Sequence, residues 1–178
     1  MGEKVILKTL FIRTKQLNKN HKIILLIVLI FIIGIYLFYV YPRQINITYN
    51  AIEYQIGNTQ IEKPVKINID GFYYNKILSK DTFGGIITIN DKKLIANNLL
   101  INENGQILSI ADSNSGLTSS YGAIFASNKL NSLTICVYDN RGWSSNDGLM
   151  LSAPCNNRAG ALAVSNRLLR NYILNKIK

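Results

Sequence analysis

Residues 83–101 read FGGIITINDKKLIANNLLI, two aliphatic and β-branched runs on either side of Asn90-Asp91. This is a β-hairpin by turn chemistry, because Asn and Asp tolerate the left-handed backbone that a two-residue loop needs if it is to follow the strand twist. Gly84-Gly85, inside the first run, predicts a bulge or a close backbone approach. Working outward, residues 99–101 and 106–110 flank Asn102-Glu103-Asn104-Gly105, which reads as a second turn. Residues 121–126 and 133–138 form a further pair, and 148–153 is a short last strand after a polar loop. Upstream, Ile45, Ile47 and Tyr49 alternate, as do Val65, Ile67 and Ile69, which run into Asp70-Gly71 as a predicted turn. Pro64 predicts an edge position. No long helical pattern interrupts these strands, so an antiparallel sheet or barrel is expected.

Pro154 ends the last strand, and Asn156 or Asn157 is placed to cap a helix over 157–177. Leu162, Leu169, Tyr172, Ile173 and Ile177 recur at helical spacing, with Arg167, Arg170 and Lys178 on another face. Such a helix covers the sheet or plugs one end of a barrel. Strands followed by one closing amphipathic helix resemble the order at the end of pleckstrin-homology-like barrels, a likeness of fold alone.

At the other end of the chain, residues 23–40 read IILLIVLIFIIGIYLFYV, with fifteen of the eighteen Ile, Leu, Val or Phe. Eighteen residues of helix span roughly 27 Å, and Tyr41 brings the segment near the hydrocarbon thickness of ~30 Å. Tyr36, Tyr39 and Tyr41 lie late in the run, where an interfacial aromatic belt belongs. A cleaved signal peptide is the competing reading. The long apolar run, the following Tyr-Pro-Arg and the lack of a small-x-small cleavage site favour an uncleaved signal anchor. Lys4, Lys8, Arg13, Lys15, Lys19 and Lys22 precede it against Glu3 alone, a net +5, so the N-terminus is expected in the cytoplasm and the C-terminal part outside. Lys4, Lys8, Lys15 and Lys19 would form one stripe on a helix, suited to anionic lipid headgroups. The expected organisation is a basic cytoplasmic segment 1–22, a membrane helix 23–41, a connector or first strand 42–60, and a β-rich extracytoplasmic domain 61–178. The fold class is α+β.

The chain has 178 residues, 48% hydrophobic and 17% charged, with two Cys and one His. This composition excludes a disordered tail and a disulfide-rich scaffold. The +10 net charge does not ask for nucleic acid, since topology explains the N-terminal excess. Residues 42–155 carry nine bases and nine acids, whereas 156–178 carry five bases (Arg158, Arg167, Arg170, Lys176, Lys178) and no acid.

Searching for chemistry removes constellations one by one. Ser132-Leu133-Thr134-Ile135-Cys136 is superficially similar to the nucleophile run of sortases, but such a Cys needs an imidazole, and His21 lies on the predicted cytoplasmic side. The Ser-Met-x-Pro context of type I signal peptidases is absent; the first Ser after the apolar run is Ser79, followed by Lys80 and Asp81. No His or Cys pair has metal-ligand spacing, and Asn102 to Gly105 lacks the calcium-loop pattern, so neither metal nor cofactor is expected. Cys136 and Cys155 are a disulfide candidate if the outside compartment is oxidising. The expected hairpin puts Cys136 opposite about Leu151, though, which leaves the two roughly 13 Å apart. Trp143, the sole Trp, sits with Arg141 in a polar loop, where it either stacks on a sugar or partner or closes the end of the core. Arg167 and Arg170 present a cationic face to a wall polymer, lipid or solvent. Asp112, Asp139 and Asp147 are the carboxylates that an enzyme would use.

The stretch from Gly142-Trp143 through Leu149-Met150-Leu151-Ser152-Ala153-Pro154-Cys155-Asn156-Asn157-Arg158-Ala159-Gly160-Ala161-Leu162, with Phe83 to Ile89, resembles a family of small uncharacterised single-pass membrane proteins of low-GC Gram-positive bacteria. The resemblance covers most of residues 60–175 and implies a fold without an activity. The expectation is therefore an envelope binding or structural module. Its partners would be the lipid bilayer and an envelope protein or anionic wall polymer. The alternative is an envelope enzyme using carboxylates or Ser/Lys.

Overall fold

The computed structural model of the chain describes residues 19–101, 106–111, 118–139 and 142–170. The chain divides into two compact units after Tyr41. In the first, α1 (Lys19–Val40) is a 22-residue helix whose most apolar window has a mean hydropathy of 3.2 and no buried residue. It is long and apolar enough to cross a membrane, a test that an N-terminal signal sequence also passes.

The second unit is an antiparallel barrel of eight strands in sequential order. They are β1 (Arg43–Gln55), β2 (Asn58–Tyr74), β3 (Thr82–Ile89), β4 (Lys92–Leu100), β5 (Gln106–Ala111), β6 (Thr118–Ala126), β7 (Leu133–Val137) and β8 (Leu149–Ala153). β8 closes the ring on β1 through Ile52↔Ser152 to Gln55↔Leu149. The stretch 42–60, expected as a connector or first strand, holds β1, the turn at Ile56 and Gly57, where Gly57 takes a φ of +73°, and the start of β2. The hairpin at Asn90-Asp91 forms as the turn chemistry requires, with Ile89 paired to Lys92 and Asn90 at a φ of 51°.

Asp70-Gly71 does not turn, and this corrects the sequence reading. β2 runs through to Tyr74 because Gly71 faces Gly85 on β3. A Cβ on either would lie 2.7 Å from the other's Cα, so the pair lets two backbones meet where side chains would part them. The bulge expected at Gly84 lies there too, between Phe83 and Gly85, opposite Asn98 with its φ of 54°. Pro64 sits on the part of β2 that reaches past β3, whose pairing starts at Ile67, so its missing N–H interrupts no ladder on that side.

An eight-stranded barrel is just wide enough for side chains to fill. Here Ile67, Ile69, Phe83, Ile87, Leu94, Leu133, Ile135 and Leu151 fill it, all 0% exposed. A second core lies outside the wall. Ile52, Tyr54, Phe125, Cys136 and Met150 point outward and are covered by Ala161, Leu168 and Leu169. The covering helix is α2 (Arg158–Leu168), capped by Asn157, whose side chain accepts from the Gly160 N–H at 2.8 Å. The helix therefore covers the wall rather than plugging an end. It ends at Leu168, short of the expected 177, with Leu169 as its C-cap; residues 171–178, including Tyr172, Ile173 and Ile177, lie outside the described residues.

Candidate functional site

With the interior filled, places for a partner lie at the two ends of the barrel. The proximal end is where β1 begins; the distal end carries the β1–β2 turn and the loop between β7 and β8.

At the distal end, Trp143 lines a cavity of about 480 Å³ together with Gln55, Tyr138, Asp139, Asp147 and Gly148. The loop is shaped by a bridge between Asp139 and Gly142, with Gly142 at a φ of +94°, and by the Gly148 N–H donating to Ser144 O at 2.9 Å. Gln55 Nε2 donates to Asp147 O at 2.9 Å and ties the loop to β1. Trp143 packs against the outer core, and its buried Nε1 has no hydrogen-bond partner among the described residues. Gly148 lies against the indole so closely that a Cβ would fall 2.7 Å from Trp143 Cδ1. The indole thus packs on the wall as a core-closing side chain and also lines a cavity. Arg141, expected beside it, lies outside the described residues, as does Asp112. Asp139 and Asp147, two of the three candidate carboxylates, do come to the same cavity, and both are exposed.

The candidate cations do not join Trp143. Arg167 donates through Nη2 to Ser132 Oγ at 2.8 Å, at the proximal end, and Arg170 is exposed just past α2. Arg158 is held by Ile61 O at 3.2 Å and Gln55 O at 2.7 Å, and lies 5.1 Å over the Tyr54 ring. Its own N–H meets Glu62 Oε1 at 2.9 Å, an anion at a helix N-terminus. Two bases of the cationic tail therefore serve the fold.

At the proximal end the loops 75–81 and 127–132 enclose a cavity of about 640 Å³, lined by Ser79, Lys80, Asp81, Ser127, Asn128 and Asn131 among others. Composition did not single out the second loop as a site, although its run of Ser and Asn marks a turn. Lys129 and Leu130 both take left-handed backbone, φ 58° and 59°, unfavourable for Leu. The conformation holds because Leu130 is fully buried in the barrel and its carbonyl accepts from Tyr49 Oη at 3.2 Å. Asp81 is occupied: Tyr73 Oη donates to one oxygen and the Lys76 N–H to the other, each at 2.8 Å. A carboxylate held this way positions the loop.

Cys136 and Cys155, the disulfide candidate that the expected separation argued against, are free thiols. The register pairs Cys136 with Met150, next to the expected Leu151, and Cys136 lies in the outer core that α2 covers. Cys155 follows the strand's end and donates to Ser152 O at 2.9 Å. Burial pushes the Cys136 thiol up to about 12, the opposite of what a nucleophile needs. Among the described residues no cluster of His, Cys, Asp and Glu is arranged to hold a metal.

No protein-family model matches the chain, and no match to it is found among the curated proteins or the solved structures.

Proposed function

We propose that this protein is a membrane-anchored, extracytoplasmic binding or structural module of the bacterial cell envelope, held by α1 with its N-terminus in the cytoplasm. The observation that carries the reading is the filled, closed barrel. Among the described residues side chains fill its interior, and loop cavities lie at its ends, a rigid scaffold for recognition. The distal cavity, with Trp143, Tyr138, Gln55 and two exposed carboxylates, has the mixture of aromatic surface and polar groups that suits a glycan or a partner's loop. The orientation is supported by the net +5 charge before the apolar run.

A second reading has its own observation. Asp139 and Asp147 line one cavity, as an envelope enzyme acting on glycans would require.

The test is a photo-crosslinker at Ser145, an exposed position in the Trp143 loop, introduced into the full chain in intact cells. A specific adduct that disappears with Trp143→Ala is expected. Hydrolysis of cell-wall glycan by the purified full chain, abolished by Asp139→Asn or Asp147→Asn, would replace the binding reading with the enzymatic one. External protease that spares the barrel in intact cells would overturn the topology.

A further inference from the structure

The loop between β2 and β3 presents its two apolar residues to solvent: Leu78 is 99% exposed and Ile77 57% exposed. A loop of polar connectors has no reason to do this, and the tip is not slack. Asp81 clamps both ends of the segment through the Lys76 N–H and Tyr73 Oη, and the Ile101 N–H donates to Asp81 O at 2.9 Å. The base is pinned and the apolar tip is held out. Lys76 and Lys80, both exposed, flank the two apolar residues. On the adjoining outer wall, Phe72 and Leu100 are exposed as well, at 47% and 38%.

Position supplies the other half of the argument. Arg43, the first residue of β1, pairs with Tyr73 at the end of β2, so this loop belongs to the end at which the chain enters the barrel. Only Tyr41 and Pro42 separate α1 from β1, and the three Cα–Cα steps from Val40 to Arg43 span at most about 11 Å. A link that short keeps this end near any bilayer that α1 crosses.

We infer that the 76–80 loop is a second membrane contact, in which Ile77 and Leu78 enter the headgroup region of an anionic bilayer and Lys76 and Lys80 pair with lipid phosphates. The inference rests on the anchored reading of α1. Two apolar residues bracketed by cations match the boundary between acyl chain and charged headgroup. A protein partner of ordinary surface chemistry does not call for that arrangement.

The full chain reconstituted in phosphatidylglycerol and phosphatidylcholine vesicles gives the test, with brominated lipids as depth-resolved quenchers. Single tryptophans are placed by Leu78→Trp, Leu29→Trp and Asp91→Trp in a Trp143→Phe background. Leu78 is fully exposed, and Trp143 Nε1 has no hydrogen-bond partner among the described residues, so both changes suit the fold. If the background does not fold, the difference between Leu78→Trp and the wild-type chain reads the same quantity.

The expected result is loss of emission at position 78 with lipids brominated near the headgroup, loss at 29 with deeply brominated lipids, and none at 91, on the distal turn. Quenching at 29 without quenching at 78 overturns the loop contact and leaves the anchor standing. No quenching at 29 overturns the anchor, and the loop contact with it. A blue shift at 78 without quenching assigns the tip to a protein surface, and equal quenching at 78 and 91 to a barrel lying flat; either result overturns the inference.

Discussion

Gly71 and Gly85 stand back to back between β2 and β3, and the curvature of the barrel passes through that contact. Adding a methyl at Gly85 drives it into Asp70 O and to 2.8 Å from Phe83 Cζ, so one strand must move. Gly85→Ala is expected to cost about 3 kcal/mol of folding stability, read by denaturant unfolding, at the upper end of ordinary overpacking. The Asp70-Gly71 pair reads as a turn because turn chemistry and close strand packing both select glycine, and only the partner across the ladder separates the two. Cys136 makes a different prediction. Its thiol titrates near 9.0 when free and at about 12 in the fold, so the folded state is at full strength below pH 9 and loses this contribution as pH rises toward 12. Thermal melts of the wild-type chain between pH 8 and 10 should fall more steeply than those of Cys136→Ser, with a limiting difference of about 1.4 kcal/mol per pH unit. Tyr121, also raised to about 12 by burial, titrates from about pH 10 and is common to both chains.

Elements show where pattern reading is strong. The N-terminus of α2 was legible because a cap is local: Asn157 accepts from the Gly160 N–H three residues on. Asn157→Ala should lower stability by about 1 kcal/mol in denaturant melts, with barrel chemical shifts unchanged beyond the α2 contact. β1 illustrates the reverse. Its alternation is clear over Ile45, Ile47 and Tyr49, then Ala51 and Ile52 are buried together. From that point the outer face is also covered, and Tyr54 Oη lies 2.6 Å from Ser165 Oγ of α2. β7 carries the same lesson, since Leu133, Thr134, Ile135 and Cys136 are all buried. A strand buried on both faces loses the period of two that marks its inward side.

At the scale of the molecule, the β4–β5 seam has the fewest ladder pairs among the described residues. β4 and β5 share two register pairs, Leu94↔Ile110 and Ile95↔Ser109, whereas β1 and β2 pair along almost their whole length. Hydrogen exchange should therefore open amides on the β4–β5 seam first and those of β1–β2 last. Uniform protection around the ring would show that closure, rather than ladder length, governs local stability. The candidate sites were partly legible. Trp143, Asp139 and Asp147 stood out as rare or ionisable residues in a polar loop, and they do share a cavity. Arg167 did not join them, because α2 crosses the wall and delivers that side chain to Ser132 at the other end. The exposed tip at Ile77 and Leu78 is invisible in a pattern, since two apolar residues near strands read as core until their surroundings are known.

The amino-acid order alone determined a membrane-length apolar helix, an antiparallel run of strands, the turn at Asn90-Asp91 and the capped start of α2, all written in neighbours a few residues apart. Only the tertiary structure decided that β8 returns to β1, that α2 lies on the wall, and which side chains meet at each end. Closure joins Ile52 to Ser152, 100 positions apart in the chain. No local periodicity records such a pairing, because its reward is the shared burial of surfaces that each segment, taken singly, would leave in water.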